Sequence, residues 1–169
     1  IDVESVEGEG TTFSIYLPRS EAGKVKASAL QEIDYFPGNG ERVLIVDDEQ
    51  SLRTTAKIIL EDAGFDALVA RSAEEALQII TESHKTDRID VILTDVVMSG
   101  LSGPQLAIEA QRQYPDLAVV FMSGYPARTR KEMEKMLGDY IFVKKPFRPA
   151  QLQKAIHEAL AHKTERQRL

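Results

Sequence analysis

Short apolar runs alternate with segments of helical apolar spacing from Glu41 to the end of the chain. Within the runs the apolar residues are continuous, which is typical of strands buried on both faces of a parallel sheet. The five runs are residues 43–46, 67–70, 91–93, 117–122 and 140–143. Since a helical pattern follows each run, the chain predicts a (βα)5 unit with right-handed crossovers and helices on both faces of the sheet.

Helix start signals support this division of the chain. Ser72 followed by Glu75 has the spacing of a capping box, and Pro104 and Pro149 stand where a first-turn proline is favoured. The apolar residues of the five predicted helices are Leu52, Ala56, Ile59, Leu60 and Ala63; Ala76, Leu77 and Ile80; Leu106, Ala107 and Ala110; Met133, Met136 and Leu137; and Leu152, Ala155, Ile156, Ala159 and Leu160.

The first 40 residues have a different pattern. Thr12 to Leu17 alternates apolar and polar side chains, which predicts a half-buried strand that ends at Pro18. A lone strand with a short acidic lead cannot bury its apolar face, so it is interpreted as part of a neighbouring domain. The predicted divisions are a domain fragment at 1–19, a linker at 20–40, the (βα)5 domain at 41–163 and a polar tail at 164–169.

Composition narrows the function classes. The 169 residues carry a formal net charge of −6, which argues against nonspecific nucleic-acid binding because that activity needs a cationic face. No apolar run approaches the roughly 18 residues of a membrane span, and we expect a cytoplasmic location, which leaves open a membrane anchor in a longer parent protein. The absence of Cys excludes disulfides, thiolate zinc sites and Cys nucleophiles.

Polar residues stand at the carboxyl ends of four predicted strands. They are Asp47, Asp48, Thr94, Asp95, Ser123, Lys144 and Lys145. Any one of them is compatible with a strand simply ending at a polar residue. The carboxyl ends of parallel strands meet at one edge of the sheet, however, and clustered carboxylates repel one another unless a cation neutralises them. Carboxylate ligands without His or Cys favour Mg²⁺, or Mn²⁺, over zinc.

Such a site suits phosphoryl transfer. A cation, a hydroxyl and an ammonium can neutralise the charge of the transferred group, and an aspartate can be the nucleophile that forms an acyl phosphate. The sequence after the first strand reads Asp-Asp-Glu-Gln-Ser (47–51) and contains no glycine-rich phosphate loop. Dinucleotide binding and P-loop nucleotide hydrolysis are therefore argued against.

The segment from about Arg42 to His162 resembles the receiver domain of response regulators in two-component signalling. The motifs that carry the resemblance are Val-Asp-Asp-Glu (46–49), Leu-Thr-Asp-Val-Val-Met (93–98), Met-Ser-Gly-Tyr (122–125) and Lys-Lys-Pro-Phe (144–147). The resemblance implies a flavodoxin-like, doubly wound α/β fold with strand order 2-1-3-4-5. It also implies a phosphoacceptor that takes a phosphoryl group from the phosphohistidine of a kinase dimerisation domain or a histidine phosphotransfer protein, signals by a change of conformation and loses the group by slow hydrolysis.

The resemblance also implies roles for the acidic motif residues. Asp95 would be the phosphoacceptor. Asp48 and Asp95 would bind Mg²⁺ together with the backbone carbonyl of Val97, and Asp47 would act on the metal largely through water.

Further motif residues would contact the phosphoryl group or respond to it. Ser123 would hydrogen-bond one phosphoryl oxygen and Lys145 would pair with another, with the Lys145–Pro146 bond cis as in the family. Phe142 matches the family's switch aromatic, which would act with Ser123. One departure is visible, because Ser99 stands where the family usually has proline.

Residues 3–18 resemble the end of a histidine-kinase ATP-binding domain, in which a Gly-x-Gly-Thr element precedes the last strand. The parent protein would then be a hybrid sensor histidine kinase. Since the other nucleotide-binding elements and the phosphorylatable kinase histidine are absent from this chain, we expect no ATP-dependent kinase activity from it. Gly8 and Gly10 are interpreted as turn residues.

The three histidines and the charged segment 128–134 are not predicted to belong to the site. His84, His157 and His162 fall on helices away from the strand ends and are interpreted as exposed. The charged segment 128–134 is interpreted as a solvated face. The alternative, implied by the resemblance, is a partner or dimer surface made by the fourth predicted helix, the fifth predicted strand and the fifth predicted helix.

Two other function classes are weighed. A pseudo-receiver that acts only as an interaction scaffold would need none of the polar motif residues, so their presence argues against it. A phosphatase of the haloacid-dehalogenase type needs Asp-x-Asp, where this chain has Asp95-Val96-Val97.

Overall fold

The computed structural model describes residues 1–17, 35–83, 87–124 and 140–166, and the chain divides into two compact units, residues 1–33 and 34–169. The predicted fourth helix with Met133, Met136 and Leu137 lies outside the described residues. The same holds for His84 and for the charged segment 128–134.

The first unit contains an antiparallel hairpin of β1 (Asp2–Val6) and β2 (Gly10–Ser14). The prediction of a strand from Thr12 to Leu17 is wrong at both ends, because the ladder starts at the Val6–Gly10 pair and ends at the Asp2–Ser14 pair. The acidic lead, for which no strand was predicted, forms β1. Val3 and Phe13 face each other across the ladder and are 55% and 67% exposed, so the hairpin does not bury this apolar pair.

The second unit is the predicted βα repeat. Its described elements are β3 (Arg42–Val46), α1 (Gln50–Asp62), β4 (Asp66–Ala70), α2 (Ala73–Ser83), β5 (Val91–Asp95), α3 (Gly103–Gln113), β6 (Ala118–Ser123), β7 (Ile141–Lys144) and α4 (Pro149–Arg166). The five strands β3 to β7 are all parallel, and their order is β4-β3-β5-β6-β7. This is the predicted order 2-1-3-4-5. Helix α4 corresponds to the fifth predicted helix.

The two faces of the sheet explain why the apolar runs are continuous. On one face Ile45 and Leu93 pack in a core with α1 and α4, and on the other face Leu44 and Ile92 pack in a core with α2 and α3. All four side chains are fully buried. Because neighbouring residues of a strand point to opposite faces, both must be apolar.

Two helix starts show how local sequence sets the elements. The amide of Glu75 donates to the Ser72 hydroxyl, as predicted, but the Glu75 carboxylate accepts from the amide of Arg71 rather than from that of Ser72. At the start of helix α3 the Gln105 side chain accepts from both the amide and the hydroxyl of Ser102, a capping contact for which no prediction was made. No helix among the described residues is long and apolar enough to span a membrane.

The end of the predicted linker is bound to the second unit. The amides of Gly38 and Gly40 donate to the carbonyls of Ala63 and Gly64, at 2.7 and 3.0 Å, in the turn between α1 and β4. We call residues 35–40 the strap. Their contacts indicate that this segment belongs structurally to the unit that follows it.

His157 of α4 holds the other side of the strap. Its Nε2 lies 2.8 Å from the carbonyl oxygen of Pro37, and its ring lies 5.8 Å from the rings of both Phe36 and Phe65. The interpretation of His157 as an exposed helix residue is therefore wrong, since the strap covers it. His162, one turn and a half further along α4, is exposed as predicted.

Candidate functional site

Four neighbouring strands bring the predicted site residues to one edge of the sheet. Asp47 follows β3, Asp95 ends β5, Ser123 ends β6 and Lys145 follows β7. Parallel pairing of these strands aligns their carboxyl ends, which is why residues almost 100 positions apart along the chain become neighbours.

Lys145 joins two of the carboxylates. Its Nζ lies 2.6 Å from Oδ2 of Asp47 and 2.8 Å from Oδ2 of Asp95. The Asp47 side chain is only 1% exposed, against 15% for Lys145 and 18% for Asp95. Burial alone lowers the pKa of Lys145, but the hydrogen bonds to the two aspartates and the attraction of their charges outweigh it, so the pKa lies above its usual value. The ammonium is therefore held in its charged form.

Each oxygen of Asp47 accepts a hydrogen bond. Its Oδ1 accepts from the amide of Glu49 at 2.9 Å, and its backbone carbonyl accepts from the Arg53 guanidinium of α1 at 2.6 Å. Since each oxygen of Asp47 has a donor, this buried acid is well suited to keep the Lys145 ammonium in place.

Asp48 and the loop after β5 form the exposed part of the site. The amide of Val97 lies 3.4 Å from Oδ1 of Asp95, and the amide of Ser99 donates to Oδ2 of Asp48 at 3.3 Å. Met98 anchors this loop in the core, since its side chain is only 7% exposed. Its Sδ accepts a hydrogen bond from the Thr94 hydroxyl at 3.9 Å.

Ser123 and Lys145 are linked through the backbone. The amide of Lys145 donates to the carbonyl of Ser123 at 2.8 Å, and the bond from Lys145 to Pro146 is cis, as the resemblance implied. Ser123 is 1% exposed. The hydroxyl and the ammonium therefore belong to adjoining strand ends.

Gly103 is a site residue to which the sequence analysis assigned no role. A Cβ at this position would overlap the carbonyl oxygen of Asp95 and lie 3.0 Å from its carbonyl carbon and 3.1 Å from Oγ1 of Thr94. The first residue of α3 therefore packs directly against the backbone of the candidate phosphoacceptor. Gly103 stands immediately before Pro104 at a helix start, which signals a turn but not this contact.

Phe142 lies apart from the charged group. It pairs in register with Phe121 across β6 and β7, with ring centroids 5.4 Å apart, in a small apolar cluster that also contains Val96 and Ala107. Val96 directly follows Asp95, so this cluster adjoins the site through the backbone of β5.

The carboxylate oxygens at this edge of the sheet are the kind of donor that binds a hard divalent cation. Within the part of the chain that the structure describes, Lys145 pairs with Asp47 and Asp95, Arg53 donates to the backbone carbonyl of Asp47, and Asp48 forms no ion pair. Among the described residues, no three His, Cys, Asp or Glu side chains are placed to hold one metal ion. A Mg²⁺ ion at this edge of the sheet would therefore have one or two carboxylate ligands and would keep several waters.

Comparison with known sequences gives the following relatives. The family model described as "Response regulator receiver domain" matches residues 43–157. The sensor kinase CckA of Brucella abortus (strain 2308) is 31% identical over 165 residues, which cover 93% of this chain and 17% of that protein. The transcriptional regulatory protein YvrH of Bacillus subtilis (strain 168) is 34% identical over 111 residues, which cover 65% of this chain and 45% of that protein. The chain thus spans less than half the length of either relative.

Solved structures of receiver domains are similar to this chain. A receiver domain protein from Clostridium thermocellum is 30% identical and superposes with a TM-score of 0.65, covering 74% of this chain and 98% of that one. The chemotaxis protein CheY4 of Vibrio cholerae is 28% identical, with a TM-score of 0.62 and coverages of 72% and 99%. Both are matched over nearly their whole length, which confirms the flavodoxin-like fold that the sequence predicts.

Proposed function

The chain belongs to the response regulator receiver domain family of two-component signalling, and on this basis we propose that it accepts a phosphoryl group on Asp95. Receiver domains interact with histidine kinases or phosphotransfer proteins, so the donor would be a phosphohistidine. The observation that carries the proposal is the bridge from Lys145 to Asp47 and Asp95, which fixes an ammonium beside one partly exposed carboxylate.

The transfer is a substitution at phosphorus. A carboxylate oxygen of Asp95 forms the new P–O bond while the P–N bond of the phosphohistidine breaks, and the electron pair of that bond remains on the imidazole nitrogen. Lys145 is within reach of the new phosphoryl oxygens, since its Nζ already lies 2.8 Å from the Asp95 carboxylate. Ser123, at the end of the next strand, would hydrogen-bond another of them.

Receiver domains generally bind Mg²⁺, which would neutralise phosphoryl charge during the transfer. In this chain Asp48, Asp95 and the carbonyl of Val97 would hold the ion, and Asp47 would act on it through water. Support comes from the three carboxylates at this edge of the sheet, of which Asp48 forms no ion pair among the described residues.

We also propose that the parent protein is a hybrid sensor histidine kinase, of which residues 1–19 are the end of an ATP-binding domain. The alignment with the sensor kinase CckA supports this, because it covers 93% of the chain and so extends into the first unit. A surface made by the fourth predicted helix, β7 and α4 stays a prediction for partner or dimer contacts.

The second candidate is a scaffold that takes up no phosphoryl group. It is disfavoured by the bridge of Lys145 to Asp47 and Asp95, because a scaffold has no need of these three buried or half-buried charges. If beryllofluoride and Mg²⁺ together leave the NMR spectrum unchanged, the scaffold is favoured.

Phosphorylation with a small donor tests the proposal. The full chain is incubated with acetyl phosphate and Mg²⁺, and intact mass is followed in parallel for Asp95→Asn and for Asp116→Asn. We expect the wild-type chain and Asp116→Asn to gain one phosphoryl group and Asp95→Asn to gain none. Asp116 is a matched control because it is exposed and pairs with Arg88, away from the site. Equal labelling of Asp95→Asn would overturn the assignment of the phosphoacceptor.

A further inference from the structure

Ser99 departs from the family pattern at a position that contacts the site. Its backbone N–H donates to Oδ2 of Asp48 at 3.3 Å, and the two residues lie 51 positions apart along the chain. Proline, which the family usually has here, carries no N–H and cannot make this bond. The departure therefore adds a hydrogen-bond donor to a candidate metal ligand.

The position of this amide is fixed by its neighbours on the loop. Met98 is buried beneath the loop, and Gly100 has φ of +83°, a conformation that glycine adopts without strain. Ser99 itself is exposed, and its backbone makes the contact with Asp48. The contact with Asp48 therefore depends on the backbone N–H at this position and not on the Ser99 side chain.

The bond connects two ligands that come from different strands. Asp48 follows β3, whereas Val97, whose carbonyl is the other proposed ligand, lies two residues before Ser99 in the loop after β5. Hydrogen bonds from outer residues orient the carboxylates that bind metals, and their loss typically weakens metal affinity. With Oδ2 engaged by Ser99, Oδ1 of Asp48 is the oxygen left to face a cation.

We propose that Ser99 is a positioning residue whose backbone N–H holds Asp48 in the orientation that binds a divalent cation. The proposal rests on the proposed function, because that function assigns the cation to Asp48, Asp95 and Val97. It goes beyond that function, because it makes the Mg²⁺ affinity of the site depend on a backbone N–H that a proline would lack.

Mg²⁺ titration of the full chain tests this, with amide NMR shifts as the readout of binding. Ser99→Ala keeps the N–H, so its Kd should stay within about twofold of wild type, whereas Ser99→Pro should raise the Kd about threefold to tenfold. Thermal unfolding of both variants without Mg²⁺ establishes that each is folded.

A second background separates the hydrogen bond from a general effect of proline on the loop. In Asp48→Ala chains, which have no side-chain acceptor for the Ser99 N–H and a weakened affinity for Mg²⁺, adding Ser99→Pro should change the Kd by less than about twofold. An unchanged Kd in Ser99→Pro, or an equal loss in both backgrounds, would overturn the proposal. If the wild-type chain binds Mg²⁺ and Asp95 takes no label, the proposed function fails while the role of Ser99 stands. If no Mg²⁺ binds, both fail.

Discussion

The two ends of the parallel sheet differ in how completely their acidic side chains are paired. At the amino end, Arg42 contacts Asp66 at 2.6 Å and Asp87 at 3.4 Å, and Lys163 contacts Asp90 at 3.0 Å. The hydrogen bond to Asp66 is the largest cause of the raised pKa of Arg42. Asp90 also accepts from the backbone amide of Arg42, and each of these three acids has a cationic side chain as its partner.

At the carboxyl end the matching is incomplete. Asp47 and Asp95 share the single ammonium of Lys145, while Asp48 has the amide of Ser99 as a donor but stands beside the same acids. Repulsion among like charges costs stability that a well-matched set would not lose. The difference between the ends is that Asp48 has no ion pair among the described residues, which leaves its charge available for the proposed cation.

The largest expected effect comes from the close packing under the carboxyl end. Gly103→Ala places a methyl group against the backbone carbonyl of Asp95, which cannot move without shifting β5, so we expect a loss of about 3 kcal/mol in the free energy of unfolding. Urea unfolding measures it. Gly124→Ala is the control, because a Cβ there meets no described residue within 4 Å. Equal stability of the two variants would contradict the contact.

A smaller effect is expected at the amino end, where the strap is bound. A Cβ on Gly38 would lie 2.7 Å from the Phe65 ring and 2.8 Å from its backbone nitrogen, so Gly38→Ala should displace the strap. The loss should be about 1 to 2 kcal/mol, since an edge segment and not the sheet is disturbed.

Hydrogen exchange tests the displacement of the strap. Faster exchange of the Gly40 amide in Gly38→Ala is the expected signature, because that amide donates to Gly64 only while the strap is bound. Asn39→Ala serves as the control, since Asn39 is exposed and lies between the two glycines. Unchanged exchange in Gly38→Ala would show that the strap tolerates the added methyl group.

The fold could be predicted because its signal is local. Continuous apolar runs and the polar residues that end them are visible in the sequence, and parallel pairing then brings Asp47, Asp95 and Lys145 to one edge. The resemblance supplied their roles. The bounds of β3 to β7 differed from the predicted runs by one or two residues because hydrogen bonding, and not hydrophobicity, determines where a ladder ends.

The missed features depend on contacts between distant segments. Gly103 matters through the carbonyl of Asp95, and Gly38 matters through the ring of Phe65. The sequence around His157 predicts a helix face, but its cover by residues 36 and 37 is visible only once the strap is placed. No local pattern marks such contacts, since each partner by itself looks like an ordinary turn or helix residue.

The smallest expected effects test the charge comparison directly, because they should have opposite signs. In Mg²⁺-free buffer, Asp90→Asn should lower the free energy of unfolding by about 1 kcal/mol, since it removes the charge that Lys163 pairs with. Asp48→Asn should raise it by about 0.5 kcal/mol, because it relieves repulsion while the amide oxygen can still accept from Ser99. Urea unfolding with a chelator present measures both variants.

Addition of Mg²⁺ should reverse the order of stability of the wild-type chain and Asp48→Asn. It should not reverse that of the wild-type chain and Asp90→Asn. At a Mg²⁺ concentration ten times the Kd, binding stabilises the wild-type chain by about 1.4 kcal/mol, and Asp48→Asn should gain much less because it has lost a ligand. Asp48→Asn would then be less stable than wild type, whereas the deficit of Asp90→Asn should stay the same. If both variants lose stability without Mg²⁺, the two ends do not differ in charge balance. If Asp48→Asn is still more stable than the wild-type chain in Mg²⁺, Asp48 does not bind the ion.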